Sequence, residues 1–181
     1  MRAVLLDCLG TLVRLEPPAP RLAAALGVPE PDAARAIVAE IAFYRAHMHE
    51  ATDAARLAHV RRRCALVLRD ALGTRAPPER VEAALLGALV FTPFADARPA
   101  LVGLRARGVR LVVVSNWDVS LHEVLARTGL APLLDGAISS AEAGAAKPDP
   151  RPVRRGLELA GVREREAWLV GDTPEADVAG A

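Results

Sequence analysis

Three short apolar runs in this chain each stop on a polar residue: AVLLD at Asp7, VRLVVVSN at Ser115-Asn116, and AWLVGD at Asp172. Runs of this kind have no polar–apolar alternation, so they predict strands buried on both faces, as in a parallel sheet. The spans are residues 2–7, 109–116 and 167–172, with a further short strand, GAISS, at 136–140. Helical stretches lie between them. Residues 99–107 end at Gly108, and 119–128 close at Gly129. Asp149-Pro150 supplies an N-cap and a first-turn proline for a helix running to Ala160, and a last helix begins near Glu175. Strands alternating with helices predict an α/β fold: a doubly wound parallel sheet with helices on both faces.

Between Pro17 and about Phe91 the pattern changes. Prolines cluster at 17–20, 29–31 and 77–78, and apolar residues recur at three- and four-residue spacing, as in Ile37, Ile41, Tyr44 and Met48. This block predicts four or so helices and no strand. The expected organisation is a core of residues 1–15 and 94–181, interrupted after its first strand by an all-helical insertion over 16–93.

Composition excludes several classes. At 181 residues the chain is one domain of ordinary size, or a core with a modest insertion, and 52% hydrophobic residues give ample material to bury. A net charge of +1 argues against a dedicated nucleic-acid or anionic-membrane binder. No apolar run approaches the roughly 18 residues of a membrane span. The apolar start is too short for a signal-peptide core. Cys8 and Cys64 make no disulfide framework, so a reducing cytoplasm is the simple reading.

In parallel α/β sheets the ligand site lies beyond the carboxyl ends of the strands. Asp7, Ser115, Asn116 and Asp172 all follow predicted strands, and Lys147 lies in the loop after the third. Each alone is ordinary loop or cap chemistry; four strand-end groups of complementary type on one edge are not. Lys147 is also the one lysine among 23 basic residues, and a compact ammonium is not interchangeable with a guanidinium in a tight site.

The stretches LLDCLGTL, VVVSN, AAKPDP and VGDTPEAD resemble, in order and spacing, the four motifs of the haloacid dehalogenase superfamily. The helical block sits where members with a C1-type cap carry theirs. The resemblance implies a Rossmann-like core with an inserted helical cap, and a hydrolase acting on a small phosphorylated metabolite. By that resemblance Asp7 is the nucleophile that forms an aspartyl-phosphate, and Lys147 is the second catalytic residue. Thr11, Ser115 and Asn116 bind substrate. Mg²⁺ is held by Asp7, the backbone carbonyl of Leu9, Asp172 and Asp177. The chemistry is coherent: a covalent intermediate splits a hard displacement into two steps, and a cation cancels the repulsion between two anions. Hydroxyl, amide and ammonium donors would steady the transferring oxygens.

Leu9 departs from the pattern. Phosphatases of the superfamily carry an aspartate there that protonates the leaving oxygen and later activates water, help worth about 10²–10⁴ in rate. Two alternatives follow. One is a metal-independent dehalogenase, since halide leaves without a proton; the other is a non-catalytic protein that binds a ligand or partner. The Asp172–Asp177 pair weighs toward metal. The HMHE stretch (His47, His49, Glu50) offers a replacement proton donor if the helical block closes over the site, against the plainer reading of a solvated helix face. Arg61-Arg62-Arg63 reads as surface, Cys8 as packing, Trp117 as lining toward the insertion, and Asp118 as a helix cap. Superfamily members continue beyond the helix in which this chain stops, through at least one more strand. An exposed sheet edge and self-association are therefore expected.

Overall fold

The computed structural model describes residues 1–180, with side chains through Asp177. It divides into two compact units: Met1–Arg14 with the chain from Phe91 on, and Leu15–Val90.

The first unit is built on a four-stranded parallel sheet in the order β5-β4-β1-β6. Its strands are β1 (Ala3–Leu6), β4 (Arg110–Ser115), β5 (Gly136–Ser139) and β6 (Ala167–Val170). β1 runs beside both β4 and β6, with Leu6 opposite Val113 on one side and Val170 on the other. Successive side chains on a strand point to opposite faces, and both faces here are apolar. Val4, Leu6, Leu111 and Val113 pack with Ala97 and Leu101 of α5 (Ala97–Ala106) and with Leu121, Val124 and Leu125 of α6 (Leu121–Arg127). On the other face Leu5, Val112, Val114 and Ile138 pack with Val153 and Leu157 of α8 (Pro150–Ala160). Gly156 brings α8 close: a Cβ there would fall 2.5 Å from Val114 Cγ2. This is the doubly wound arrangement expected. The α8 cap is also as expected, with Asp149 Oδ1 accepting from the Arg151 N–H at 2.9 Å. β6 is an edge strand, and its Trp168 is 65% exposed.

Three short elements differ from expectation. β2 (Val13–Leu15) and β3 (Phe91–Pro93) form a two-stranded sheet, so residues 91–93 belong with the first unit and not with the insertion. α7 (Ser140–Ala143) is a single turn after β5, begun by a capping box between Ser139 and Glu142.

The second unit is helical: α1 (Pro18–Leu26), α2 (Glu30–His47), α3 (Ala54–Leu72) and α4 (Pro78–Ala88). Leu22, Ile37, Leu57, Val60, Leu68, Val81 and Leu85 are among its buried apolar residues. A carboxylate, Glu40, is buried among them, and burial raises its pKa above the ordinary 4.5 although the Cys64 thiol hydrogen-bonds to it. Two of the HMHE groups, His47 and Glu50, are engaged within this unit. His47 stacks on Phe43 with ring centroids 4.0 Å apart, and its Nδ1–H donates to the Phe43 carbonyl at 2.7 Å. Glu50 pairs with Arg63, whose guanidinium lies over the Phe43 ring. The last helix, α9 (Pro174–Gly180), follows β6 in the first unit. Among the described residues no helix is long and apolar enough to cross a membrane.

Candidate functional site

The carboxyl end of the sheet gathers the polar groups. Asp7 continues the β1–β6 ladder, its N–H donating to the Val170 carbonyl at 2.9 Å, and then the chain turns sharply. The Cys8 carbonyl accepts from the N–H groups of Leu12 and Val13 at 2.8 and 2.9 Å, while the Gly10 N–H donates to the Val13 carbonyl. Gly10 has a φ of +88°, which favours glycine. The turn also needs glycine for space: a Cβ at residue 10 would sit 2.1 Å from Asp172 Oδ2. Asp172, two residues beyond β6, thus lies against the Gly10 backbone. It is exposed, and among the described residues no cation pairs with it.

Asp7 is 7% exposed, Lys147 4% and Asp177 5%. The ammonium donates to Asp7 Oδ1 at 2.8 Å and to Asp177 Oδ1 at 2.6 Å. The Ser115 hydroxyl, at the end of β4, also donates to Asp7 Oδ1, at 3.0 Å. Two donors therefore converge on one oxygen of Asp7, and among the described residues no hydrogen bond uses Oδ2. Burial pushes the Asp7 carboxyl above its usual range; Lys147 and then Ser115 pull in the opposite direction. The adjacent Cys8 thiol is fully buried in the core, and its pKa is pushed up to about 12, chiefly by burial and further by the charge on Asp7, which disfavours the thiolate.

Asp177 joins this cluster. Its Oδ1 faces Lys147, its Oδ2 accepts from the Thr173 N–H at 3.0 Å, and its carboxylate lies where a Cβ on Gly171 would be. The Lys147 ammonium thus bridges Asp7 and Asp177. Among the described residues no three His, Cys, Asp or Glu side chains are grouped to hold a metal ion.

Asn116 presents its amide to the backbone of Lys147, with Oδ1 accepting from the Lys147 N–H at 2.7 Å and Nδ2 donating to its carbonyl at 3.0 Å. The Lys147–Pro148 peptide bond is cis. Thr11 Oγ1 is buried with no hydrogen-bond partner among the described residues. Leu9 is 41% exposed, and among the described residues no hydrogen bond takes up its carbonyl. Trp117 is buried against Phe91 with ring centroids 5.0 Å apart, in the core of the first unit. Asp118 braces the turn before α6 by accepting from the Ser120 N–H at 2.6 Å; Ser120, not Asp118, is the residue preceding that helix.

Ser140 was not anticipated. Its hydroxyl accepts from the Trp117 N–H at 3.1 Å and donates to the Trp117 carbonyl at 3.0 Å, tying the end of β4 to the start of α7. The signal available was the Ser139-x-x-Glu142 capping pattern, which marks a helix start at that point.

A family model described as haloacid dehalogenase-like hydrolase matches residues 1–181. Haloacid dehalogenase-like hydrolase domain-containing protein 3 of Bos taurus is 40% identical over 85 residues, 47% of this chain and 34% of that protein. Phosphoserine phosphatase of Thermus thermophilus is 39% identical over 89 residues, 49% of this chain and 36% of that enzyme. The alignments thus span about a third of the length of these curated relatives. The crystal structure of a HAD phosphatase from Thermococcus onnurineus has the same fold, with a TM-score of 0.64 at 24% identity, covering 99% of this chain and 81% of that one.

Proposed function

Because this chain belongs to the haloacid dehalogenase-like hydrolases, we propose that it transfers a phosphoryl group from a small metabolite to Asp7 and then to water. The observation that carries this reading is the buried Asp7 carboxylate, with Lys147 and Ser115 both bonded to Oδ1 and Oδ2 left for attack. Lys147 has three ammonium donors, and two are used by Asp7 and Asp177. The third remains for a phosphoryl oxygen. The unpartnered Thr11 hydroxyl supports a polar ligand at this edge, since an unsatisfied buried group costs about 1–3 kcal/mol.

The residues fit a divalent cation of the Mg²⁺ kind. Asp7, the Leu9 carbonyl and Asp172 are all hard oxygen donors, and Asp172 carries a charge with no cationic partner among the described residues. When bound, Mg²⁺ would neutralise part of the negative charge that separates carboxylate from phosphate. Asp177 acts instead through Lys147, holding the ammonium from the side opposite Asp7.

Leu9 sets the kinetics. It cannot protonate a leaving alkoxide, so substrates with good leaving groups, such as acyl or aryl phosphates, should react first. Nor can it activate the water that hydrolyses the aspartyl-phosphate, and no choice of substrate repairs that step. Hydrolysis of the intermediate is therefore rate-limiting. With p-nitrophenyl phosphate and Mg²⁺, a burst of one nitrophenolate per chain should precede a slow steady state. Leu9→Asp should raise the steady rate by about 10²-fold or more, and Asp7→Asn should abolish both phases. Equal rates in wild type and Asp7→Asn would overturn the proposal.

Leu9 also favours a second reading, displacement of halide from a small haloacid, because halide needs no proton. Halide release from bromoacetate in the presence of EDTA, with no phosphatase activity, would support it over the first.

A further inference from the structure

Asn116 follows the β4 strand end, where a residue that contacts substrate is expected, yet its amide faces the chain itself. The Lys147 N–H needs an acceptor and its carbonyl a donor, and the Asn116 side chain supplies both, at 2.7 and 3.0 Å, across 31 residues of sequence. One amide orientation satisfies both bonds. Among the described residues no other hydrogen bond uses the N–H or carbonyl of Lys147. The neighbouring loop is held by the Ala145 N–H on the Ser140 carbonyl at 3.1 Å and by the Asp149 N–H on the Ala146 carbonyl at 2.9 Å, which closes a turn over residues 147 and 148 but leaves the N–H and carbonyl of Lys147 to the Asn116 amide.

We propose that Asn116 is a positioning residue for the reaction: it acts through Lys147, and its side chain sets the direction in which the ammonium leaves the backbone. A lysine has four rotatable side-chain bonds, and once the backbone direction is fixed, Asp7 Oδ1 and Asp177 Oδ1 at its tip restrict the rest. With the amide gone, the ammonium keeps its charge but loses its aim. Displacement of a catalytic group by about 1 Å can cost on the order of 10² in rate. This inference rests on the role given to Lys147 above.

The chain contains a single lysine, which makes the test direct. Protein labelled with ¹⁵N-lysine gives one lysine amide signal, that of the N–H bonded to Asn116 Oδ1. In Asn116→Ala its hydrogen exchange should accelerate about tenfold, the equivalent of one net hydrogen bond. In Asn116→Asp, which keeps an acceptor, exchange should stay slow. If Asn116→Ala does not fold, Asn116→Ser carries the same test, because its shorter hydroxyl cannot span both backbone groups. The activity arm is a double-mutant cycle on p-nitrophenyl phosphate. Asn116→Ala should lower kcat by about 10² with a smaller change in KM, and should add nothing in a Lys147→Met background. Unchanged exchange in Asn116→Ala, or losses that multiply in the cycle, would overturn the proposal. A wild type without any hydrolase activity would sink the function proposed above while leaving the exchange measurement to decide this one.

Discussion

Replacing Lys147 by methionine keeps most of the side-chain volume and removes the one positive charge bonded to two buried carboxylates. Its nitrogen lies 2.8 Å from Asp7 and 2.6 Å from Asp177, and all three side chains are at most 10% exposed. At that depth solvent screens little. Leaving a buried charge without its partner destabilises by about 3–5 kcal/mol. For a chain of this size each kcal/mol corresponds to about 2–4 °C in Tm, so a fall of about 6–20 °C is expected at neutral pH. The pH dependence identifies the cause. Burial raises the Asp7 pKa and Lys147 opposes that rise; without Lys147 the pKa climbs further. A carboxyl protonated more readily in the fold than in the unfolded chain adds stability at low pH that disappears as pH rises through its folded pKa. The deficit of Lys147→Met should therefore shrink as pH falls from 8 to 5. Thermal unfolding in EDTA, followed by circular dichroism across that range, measures it. A fall under about 2 °C at pH 7, or a deficit that does not change with pH, would refute the reasoning.

Two further predictions use other parts of the chain. Gly10→Ala places a Cβ 2.1 Å from Asp172 Oδ2 and forces a φ of +88° on an L-residue; about 1–3 kcal/mol of stability should be lost in urea unfolding. The displaced Asp172 should also raise the Mg²⁺ concentration needed for half-maximal activity. Glu40→Gln removes a buried carboxyl whose pKa is raised by burial; wild-type stability falls as pH rises through that pKa, so the variant should have the higher Tm at pH 7. The advantage should vanish below about pH 4.5, and a variant less stable than wild type at pH 7 would contradict the account.

The sheet was legible because its strands are buried on both faces. AVLL, RLVVVS and AWLV are unbroken apolar runs, and their polar stops mark the edge where the site forms. β2 and β3 were not legible. Three residues carry no usable periodicity, and Arg14 and Pro93 give no apolar run to recognise. The α7 turn had a readable start in Ser139 and Glu142 but is too short to show a helical period.

At the site, residue types were readable and pairings were not. Lys147 stood out as the lone lysine, yet its contact with Asp177 depends on how α9 leaves β6, which no local pattern specifies. The pairing of Asn116 was hidden for the same reason: its partner lies 31 residues away, on a loop whose path is set by the fold.

The account stands on covalent chemistry at Asp7, and acid-quenched mass spectrometry tests it most directly. Wild-type protein mixed with p-nitrophenyl phosphate and Mg²⁺ should carry one phosphoryl group on the peptide containing Asp7. It should carry less in Leu9→Asp, where the intermediate turns over, and none in Asp7→Asn. Nitrophenolate release with no phosphoryl group on Asp7, or with the group on another residue, would contradict it.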